Sequence, residues 1–481
     1  MAEVFSESLD FPKVKARAVQ SRSYRVKLPP TNAGIYSPSS VIEFELPANQ
    51  AGTYWNSNQC YLKFKMTSLC RNAGDTAAVK CDLDRSGAYG FIRRMEITTG
   101  GGGAKICDLD RFNVLACAMI DTDASQEWKT STGSAIAGTE GLLRGAAIDP
   151  GDLERIYCLP LILNPLSQSS PHRLFPLFSL SPLKLRFTLE EAGVVFRVDA
   201  INDIVNYQIS EVELVYQATE LSPEAQASID EMTGGKYDIL ATSYMHSSAT
   251  LQATNSQLTA SLGYSVSSLE RVIICHRRTS STLSQQRYSL GNRCAAGLQQ
   301  YNLLVNTEMF PARPIMRDHR FGSECVAEML LASHSLVDFT KGSSLNDGYV
   351  KCNVPGAQFL GTSRSANIKP NSGTIIQNPY SLENPEGLTA GNLNVEVDAA
   401  TTDAEDSDVG SFLCAVELES GVSDGKSSHI YSGVSTLAST VQYVGTYSGA
   451  VNADITVDFF GNYTILMSLA MNGTGVWSVS V

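Results

Sequence analysis

The chain has 481 residues, 43% of them hydrophobic and 18% charged, and its 36 basic and 49 acidic side chains give a net charge of −13. That length exceeds the roughly 100–200 residues of a typical domain, so two large folded units are expected, and the hydrophobic share excludes a disordered chain. The acidic balance excludes a surface that wraps nucleic acid all over by counterion release, so any polyanion contact must be local.

The first ten residues carry three acids and no apolar run, so they lack the basic start and apolar centre of a secretory signal. No apolar stretch approaches the roughly 18–20 residues of a membrane-crossing helix. Synthesis in a reducing cell interior is therefore expected. The eleven cysteines, scattered from Cys60 to Cys414 without a Cys-x-x-Cys pair, write neither a disulfide framework nor a zinc ribbon and are expected to be reduced and mostly buried. Residues 11–30 hold Lys13, Lys15, Arg17, Arg22, Arg25 and Lys27 with no acid and end on two prolines, which reads as a basic arm.

After the arm, Ile42, Phe44 and Leu46 alternate with Glu43 and Glu45, the period of a strand with one dry and one wet face. The same pattern recurs at Leu62–Met66, Leu183–Leu189 and Val212–Tyr216, with the glycine run 100–103 and the long stretch 125–151 among the turn-rich connections. One short helix is predicted after these strands. Ser222 caps it, Pro223 suits its first position, Glu224 favours its positive end, and Gly234 and Gly235 stop it, with Ala225, Ile229 and Met232 on one face. It reads as a hinge between two β domains, because strand patterns resume at Tyr237–Tyr244.

The second half offers strands at 269–275, 301–305, 325–331, 414–418, 441–444, 455–459 and 477–481. Segment 321–339 also fits a helix through Val326, Leu330 and Val337, and both readings stand. Residues 87–97 and 265–278 each place small residues before an apolar strand carrying arginines, as two similar sandwiches in tandem would. Residues 387–425 hold nine acids and no base, which reads first as a solvated loop and makes the molecule electrically polar against the basic arm.

The chain carries no His-Glu-x-x-His, Gly-x-Ser-x-Gly or EF-hand spacing. Gly421–Ser427 has one residue too few between its glycines for a phosphate loop and reads as a turn. The six histidines are dispersed, with none at a ligand spacing, and the sequons at Asn462 and Asn472 carry little weight without a secretion signal. No enzyme, cofactor or metal site is predicted.

Several segments carry a family resemblance. They are Gly34–Pro38 followed by 41–46 and 61–66, then Pro160–Leu163 and 175–192, then 207–214 with 220–225, and finally 454–463 with Asn472-Gly473 and Val476–Val479. Taken in order, they resemble the double jelly-roll major capsid proteins of tailless icosahedral DNA viruses, the group spanning adenoviruses, Polinton-like viruses and virophages. Residues 340–412 match nothing in that pattern.

The resemblance implies an all-β fold of two tandem eight-stranded jelly rolls with long loops and a short linking helix. Its divisions would be an arm at 1–34, a first roll at 35–218, a linker at 219–235 and a second roll at 236–481 with an acidic loop region near 387–425. It implies a homotrimer that tiles a virion shell around a DNA genome, touches neighbouring capsomers, penton and minor or cement proteins, and takes no small-molecule substrate. The basic arm would lie inside the shell, in weak contact with the genome or an internal membrane, and Tyr54 and Trp55 would be candidates for loop packing. Two other readings stay open: a single jelly-roll coat protein with a projecting β domain, and a carbohydrate-binding or carbohydrate-active β-sandwich. The last would show a cleft with carboxylates about 5–10 Å apart and stacked aromatics.

Overall fold

The computed structural model describes residues 21–32, 34–99, 104–139, 146–166, 174–198, 202–278, 289–291, 293, 296–317, 323–333, 368–370, 395–397, 412–419, 433–447, 454–470, 475 and 477–480. In the first half the strands are β1 (Ser21–Leu28), β2 (Ile35–Tyr36), β3 (Val41–Leu46), β4 (Thr53–Ser68), β5 (Cys81–Leu83), β6 (Ile92–Thr99) and β7 (Lys105–Leu109). Helices α1 (Phe112–Asp123), α2 (Gln126–Thr130) and α3 (Thr132–Ala137) follow. Then come β8 (Ala147–Ile148), β9 (Glu154–Pro160), β10 (Phe175–Pro176), β11 (Leu183–Leu189), helix α4 (Ala192–Val195), β12 (Phe196–Val198) and β13 (Tyr207–Leu221). Helix α5 (Pro223–Thr233) leads into β14 (Lys236–Leu251), β15 (Gln257–Ser261), β16 (Leu269–Arg278), β17 (Leu298–Val305) and β18 (Glu308–Met316). Helix α6 (Ser323–Ala332), β19 (Ile368–Pro370), β20 (Val395–Val397), β21 (Cys414–Glu417), β22 (Val441–Tyr447), β23 (Ile455–Ala470) and β24 (Trp477–Ser480) complete the second half.

The sheet orders repeat. The first half has one sheet ordered β1–β13–β4–β10, with β9 also on β4 and β2 on β13, and a second ordered β3–β11–β6–β7. The second half has β14–β23–β16–β21, with β24 on β23, and β15–β22–β17–β18. In each half an early strand pairs with a late one, β1 with β13 and β14 with β23, a following strand in the other sheet pairs with one that precedes that late strand, β3 with β11 and β15 with β22, and the chain crosses between two antiparallel sheets. Such nested pairing is a jelly roll. Smaller sheets, β12–β5–β8 and β19–β20, are additions.

Alternation in the sequence becomes the core of each roll. Ile42, Phe44 and Leu46 are buried while Glu43 and Glu45 face outward, and across the sandwich Leu62, Phe64 and Met66 do the same against Lys63 and Lys65. Phe44 meets Phe187 edge-on at 6.1 Å, and Phe91 sits between Phe64 at 6.0 Å and Tyr207 at 4.9 Å. In the second roll Tyr443 bridges Tyr301 and Phe459. Each fully buried side chain of this kind contributes about 1.5–3 kcal/mol of transfer free energy.

Several expectations need correction. The first roll starts at Ser21 and not at residue 35, because β1 pairs with β13 from Ser21 to Leu28. Tyr24, Val26 and Leu28 pack inward between exposed Arg25 and Lys27, an alternation that the excess of cations disguised as an arm. Of the two readings left open for 321–339 the helical one holds, with Cys325, Met329 and Ala332 buried along one face of α6. The segments 87–97 and 265–278 are not counterparts. The first is a 3-10 turn followed by β6, third in its sheet, and β6 matches β17, whereas β16 matches β4. The linking helix stands where it was expected, Ser222 accepting a hydrogen bond from the Ala225 amide and Gly234 closing it at φ 63°, but none of its residues is buried and Met232 is 82% exposed. Other helices interrupt the strands as well, chiefly α1–α3 between β7 and β8.

Candidate functional site

The two rolls meet along a polar seam. Asp84, between β5 and the 3-10 turn, is buried, and its carboxylate accepts hydrogen bonds from the backbone of the β16–β17 connection, Leu290 N at 2.7 Å and Gly291 N at 3.0 Å. The approach leaves no room for a side chain. A Cβ on Gly291 would lie 2.4 Å from Asp84 Oδ1 and 2.5 Å from Arg85 Nε. Two residues further on, Arg293 is fully buried and reaches into α1, where its Nη2 donates to Asp121 Oδ2 at 2.6 Å, while its Nε donates to Phe412 O at 3.2 Å. Asp121 also pairs with Lys129 at 3.0 Å and with Arg85 at 3.8 Å.

Burial alone would raise the Asp121 carboxyl, but Arg85, Lys129 and Arg293 outweigh it and hold the acid ionised well below its usual range. Replacing solvent with three cations and fixed amides makes the seam specific, since a buried charge that loses its partner is costly. Elsewhere along the seam, Tyr54 OH donates to Gln226 Oε1 at 2.9 Å, Gln226 Nε2 donates to Tyr237 OH, and Phe178 stacks edge-on with Tyr237 at 5.1 Å. Strand β14 lies against β7, with Ser243 Oγ donating to Ile106 O. Tyr54 and Trp55 are therefore interior. Trp55 packs edge-on against Phe175 and Tyr216, so neither ring is open to a neighbouring subunit.

Both histidines among the described residues are engaged in structure. His246 Nε2 lies 2.9 Å from Asp458 Oδ1, and the other oxygen of that carboxylate receives Arg277 at 2.6 Å. Burial pushes Asp458 up, yet Arg277 and His246 bring it down to about 2. His276 sits 3.0 Å from Tyr447 OH, and burial lowers it to about 3. The other four histidines lie outside the described residues. A cleft of about 630 Å³ between β4, α1, α2 and residues 160–163 is mainly apolar, and among its described lining residues Asp123 is the one carboxylate. Paired acids for glycoside chemistry are not gathered there. Asn462 is buried in β23, its amide donating to Ser243 O, so that sequon is closed to a glycan.

Of the basic residues singled out in the sequence, Lys13, Lys15 and Arg17 lie outside the described residues. Arg22, Arg25 and Lys27 line β1, where Arg22 stacks over Tyr24 and Lys27 approaches Glu213 at 3.8 Å. The acidic region is described only at 395–397 and 412–419, and the Gly421–Ser427 turn not at all. Glu417 in β21 is half-buried opposite Arg271, and desolvation raises it to about 7.

No family model and no curated protein matches this sequence. Solved structures do match over nearly the whole chain. A chain of the Sputnik virophage structure aligns with a TM-score of 0.56 at 10% identity, covering 100% of this chain and 93% of that one. The PBCV-1 virus capsid model aligns at 0.54 and 10% identity, covering 98% and 99%, and the mavirus major capsid protein at 0.51 and 11%, covering 100% and 95%. The fold is the double jelly roll.

Coverage in both directions places two rolls, and no projecting domain on a single roll, in correspondence with those structures. That excludes the single-roll reading of the sequence. What the double jelly roll adds to the sequence is the seam: Asp84, Asp121, Lys129 and Arg293 were not singled out, since Asp121 and Arg293 stand 172 residues apart and carry no local motif.

Proposed function

We propose that this chain is a major capsid protein, a structural subunit that trimerises into pseudo-hexameric capsomers and tiles an icosahedral shell around a DNA genome. The observation that carries the reading is the pair of complete rolls fixed side by side by a buried seam, in a fold shared end to end with capsid proteins. The internal repeat supports assembly. Within the chain, β7 of the first roll packs on β14 of the second, and Ile106, Cys107, Ser243 and Tyr244 are buried there. Among the described residues their counterparts, β18 of the second roll and β1 of the first, are edge strands with Met309, Met316, Arg22 and Arg25 exposed, although α6 packs on part of β18. Copies that repeat the seam between β18 of one and β1 of the next would close a ring of sandwiches.

The role is structural and not catalytic, the destination is the virion, and the other partners are neighbouring capsomers, penton and minor or cement proteins. The cations Lys13, Lys15 and Arg17, which precede β1, would face the shell interior and touch genome or membrane weakly, because a few cations supply only a few kcal/mol at physiological salt, while Arg22, Arg25 and Lys27 belong to β1 and to the ring contact. Light scattering on the purified protein tests the assembly. Three copies of a 51.8 kDa chain should give a particle of about 155 kDa, and a protein that stays monomeric at tens of micromolar would overturn the reading. Deleting residues 1–20, which leaves β1 whole, should spare the trimer and impair shell closure; normal shells would remove the role given to the arm.

A further inference from the structure

The cleft beside α1 has walls that the fold holds in place. On one side the β4–β13 ladder jumps from the pair Cys60–Tyr216 to the pair Asn56–Gln217, so residues 57–59 bulge out of the sheet. The bulge is pinned by the buried Ser57 hydroxyl, which donates to Leu166 O. On another side Leu163 turns at φ 59°, a left-handed conformation uncommon for so bulky a residue. Trp128 forms a third wall and is fixed twice. Its amide donates to the Ser125 hydroxyl at 3.2 Å, and its ring packs so close to α3 that a Cβ on Gly133 would stand 2.7 Å from indole Cζ3. Walls set in this way keep a pocket open before any ligand arrives, and its volume of about 630 Å³ lies within the roughly 300–1,000 Å³ of small-molecule sites.

The lining also has a polarity. Cys60, Ile120, Leu161 and Leu163 are buried and supply apolar surface, whereas Asp123 is exposed to solvent. Among the described lining residues none carries a positive charge. The cleft thus offers a dry wall for hydrocarbon and one wet, negatively charged position.

We propose that this cleft is a binding site for an amphipathic amine, a primary ammonium carried on an unbranched hydrocarbon chain. The chain lies along the apolar wall and sheds water from each methylene, and the ammonium stays at the solvent-facing end beside Asp123. A carboxylate on the same chain brings a like charge to Asp123 and meets no cation, so the lining selects by sign as well as by shape. An alcohol keeps the apolar contact and loses the ion pair. The site is built from the first half of the chain and does not rest on the capsid reading.

Isothermal titration of the full-length protein with octylammonium at pH 7 tests the proposal, with octanol and octanoate as comparison ligands. Octylammonium should bind, octanol more weakly, and octanoate not at all. Hexylammonium should bind about 15-fold more weakly than octylammonium, because each buried methylene is worth about fourfold in affinity. Asp123→Asn should weaken octylammonium by about two- to fivefold, the range of an exposed ion pair, and leave octanol unchanged. Ala124→Phe, which places a ring in the cleft, should abolish binding while circular dichroism shows a folded chain. If that variant does not fold, photolabelling of the wild-type protein with a diazirine-bearing octylammonium takes its place, and mass spectrometry should find the label on Met119, Trp128 or Ile162. Absence of octylammonium binding, equal affinity for the hexyl and octyl chains, octanoate matching octylammonium, undiminished affinity in folded Ala124→Phe, or a label confined to residues outside the cleft would overturn the proposal.

Discussion

Gly291→Ala tests whether the seam is a built contact or an incidental one. The added methyl would stand 2.4 Å from Asp84 Oδ1 and 2.5 Å from Arg85 Nε, well inside van der Waals contact, and both groups are buried with nowhere to retreat. Relief requires moving the β16–β17 connection off the Asp84 carboxylate, which forfeits the bonds from Leu290 N and Gly291 N. Hydrogen bonds to a charged group contribute about 1.5–3 kcal/mol each, so forfeiting two gives an expected loss of about 3–6 kcal/mol, a large part of a typical domain's stability. Urea unfolding followed by circular dichroism measures it, and hydrogen exchange at the Leu290 amide locates it. Gly151→Ala is the control, since nothing lies within 4 Å of a Cβ there, and it should stay within about 0.5 kcal/mol. In Gly291→Ala/Asp84→Ala the two effects should be markedly non-additive, because the second change removes the atom that the first collides with. Additive costs, or a Gly291→Ala loss under about 1 kcal/mol, would refute the claim that the seam is packed to this tolerance.

Other expectations concern charge and caps. Glu417, raised to about 7 from 4.5 chiefly by desolvation, is held protonated by the fold, so its contribution is full below about pH 4.5 and is lost as pH rises through 7. Glu417→Gln should therefore stabilise the protein by about 1–2 kcal/mol at pH 8, allowing for partial exposure, and leave it unchanged at pH 4; thermal melts at both pH values decide. Asp458 runs the other way. Burial opposes its ionisation, but Arg277 and His246 bring it from 3.8 to about 2, so its stabilisation is complete above about pH 4 and disappears as pH falls through 2. Asp458→Asn should cost several kcal/mol at pH 7 by stranding Arg277, with the deficit shrinking toward pH 2 in acid-unfolding curves. Ser222→Ala, which deletes the hydroxyl capping α5, should cost about 1 kcal/mol in chemical denaturation, whereas Ser222→Asn should restore most of it.

The parts of the fold legible in the sequence were those with one wet face. Strands β3 and β11, and the stretches Leu62–Met66 of β4 and Val212–Leu214 of β13, alternate because Glu43, Lys63, Lys184 and Glu213 face outward while their neighbours face the core. Helix α5 was legible because its caps are chemical and local, a hydroxyl at one end and a glycine at φ 63° at the other. Helix α1 was not. Its residues Phe112–Ile120 are apolar almost all round and nearly all buried, and a helix without a polar face leaves no 3.6-residue period to read. β1 failed for the opposite reason: its outward cations dominate, and the pairing with β13 that makes it a strand lies some 190 residues away.

What the chain sequence settled by itself is local, namely where water can touch one side of an element and where a turn or cap has the right chemistry. It also carried, in the order of its segments, the likeness to a double jelly roll. Tertiary structure alone decided how the halves join, because Asp84 meets Leu290 and Asp121 meets Arg293 across gaps of 206 and 172 residues. Charges buried that deeply are tolerable only when folding delivers the partner to within hydrogen-bonding distance, and no pattern along the chain encodes a distance in space.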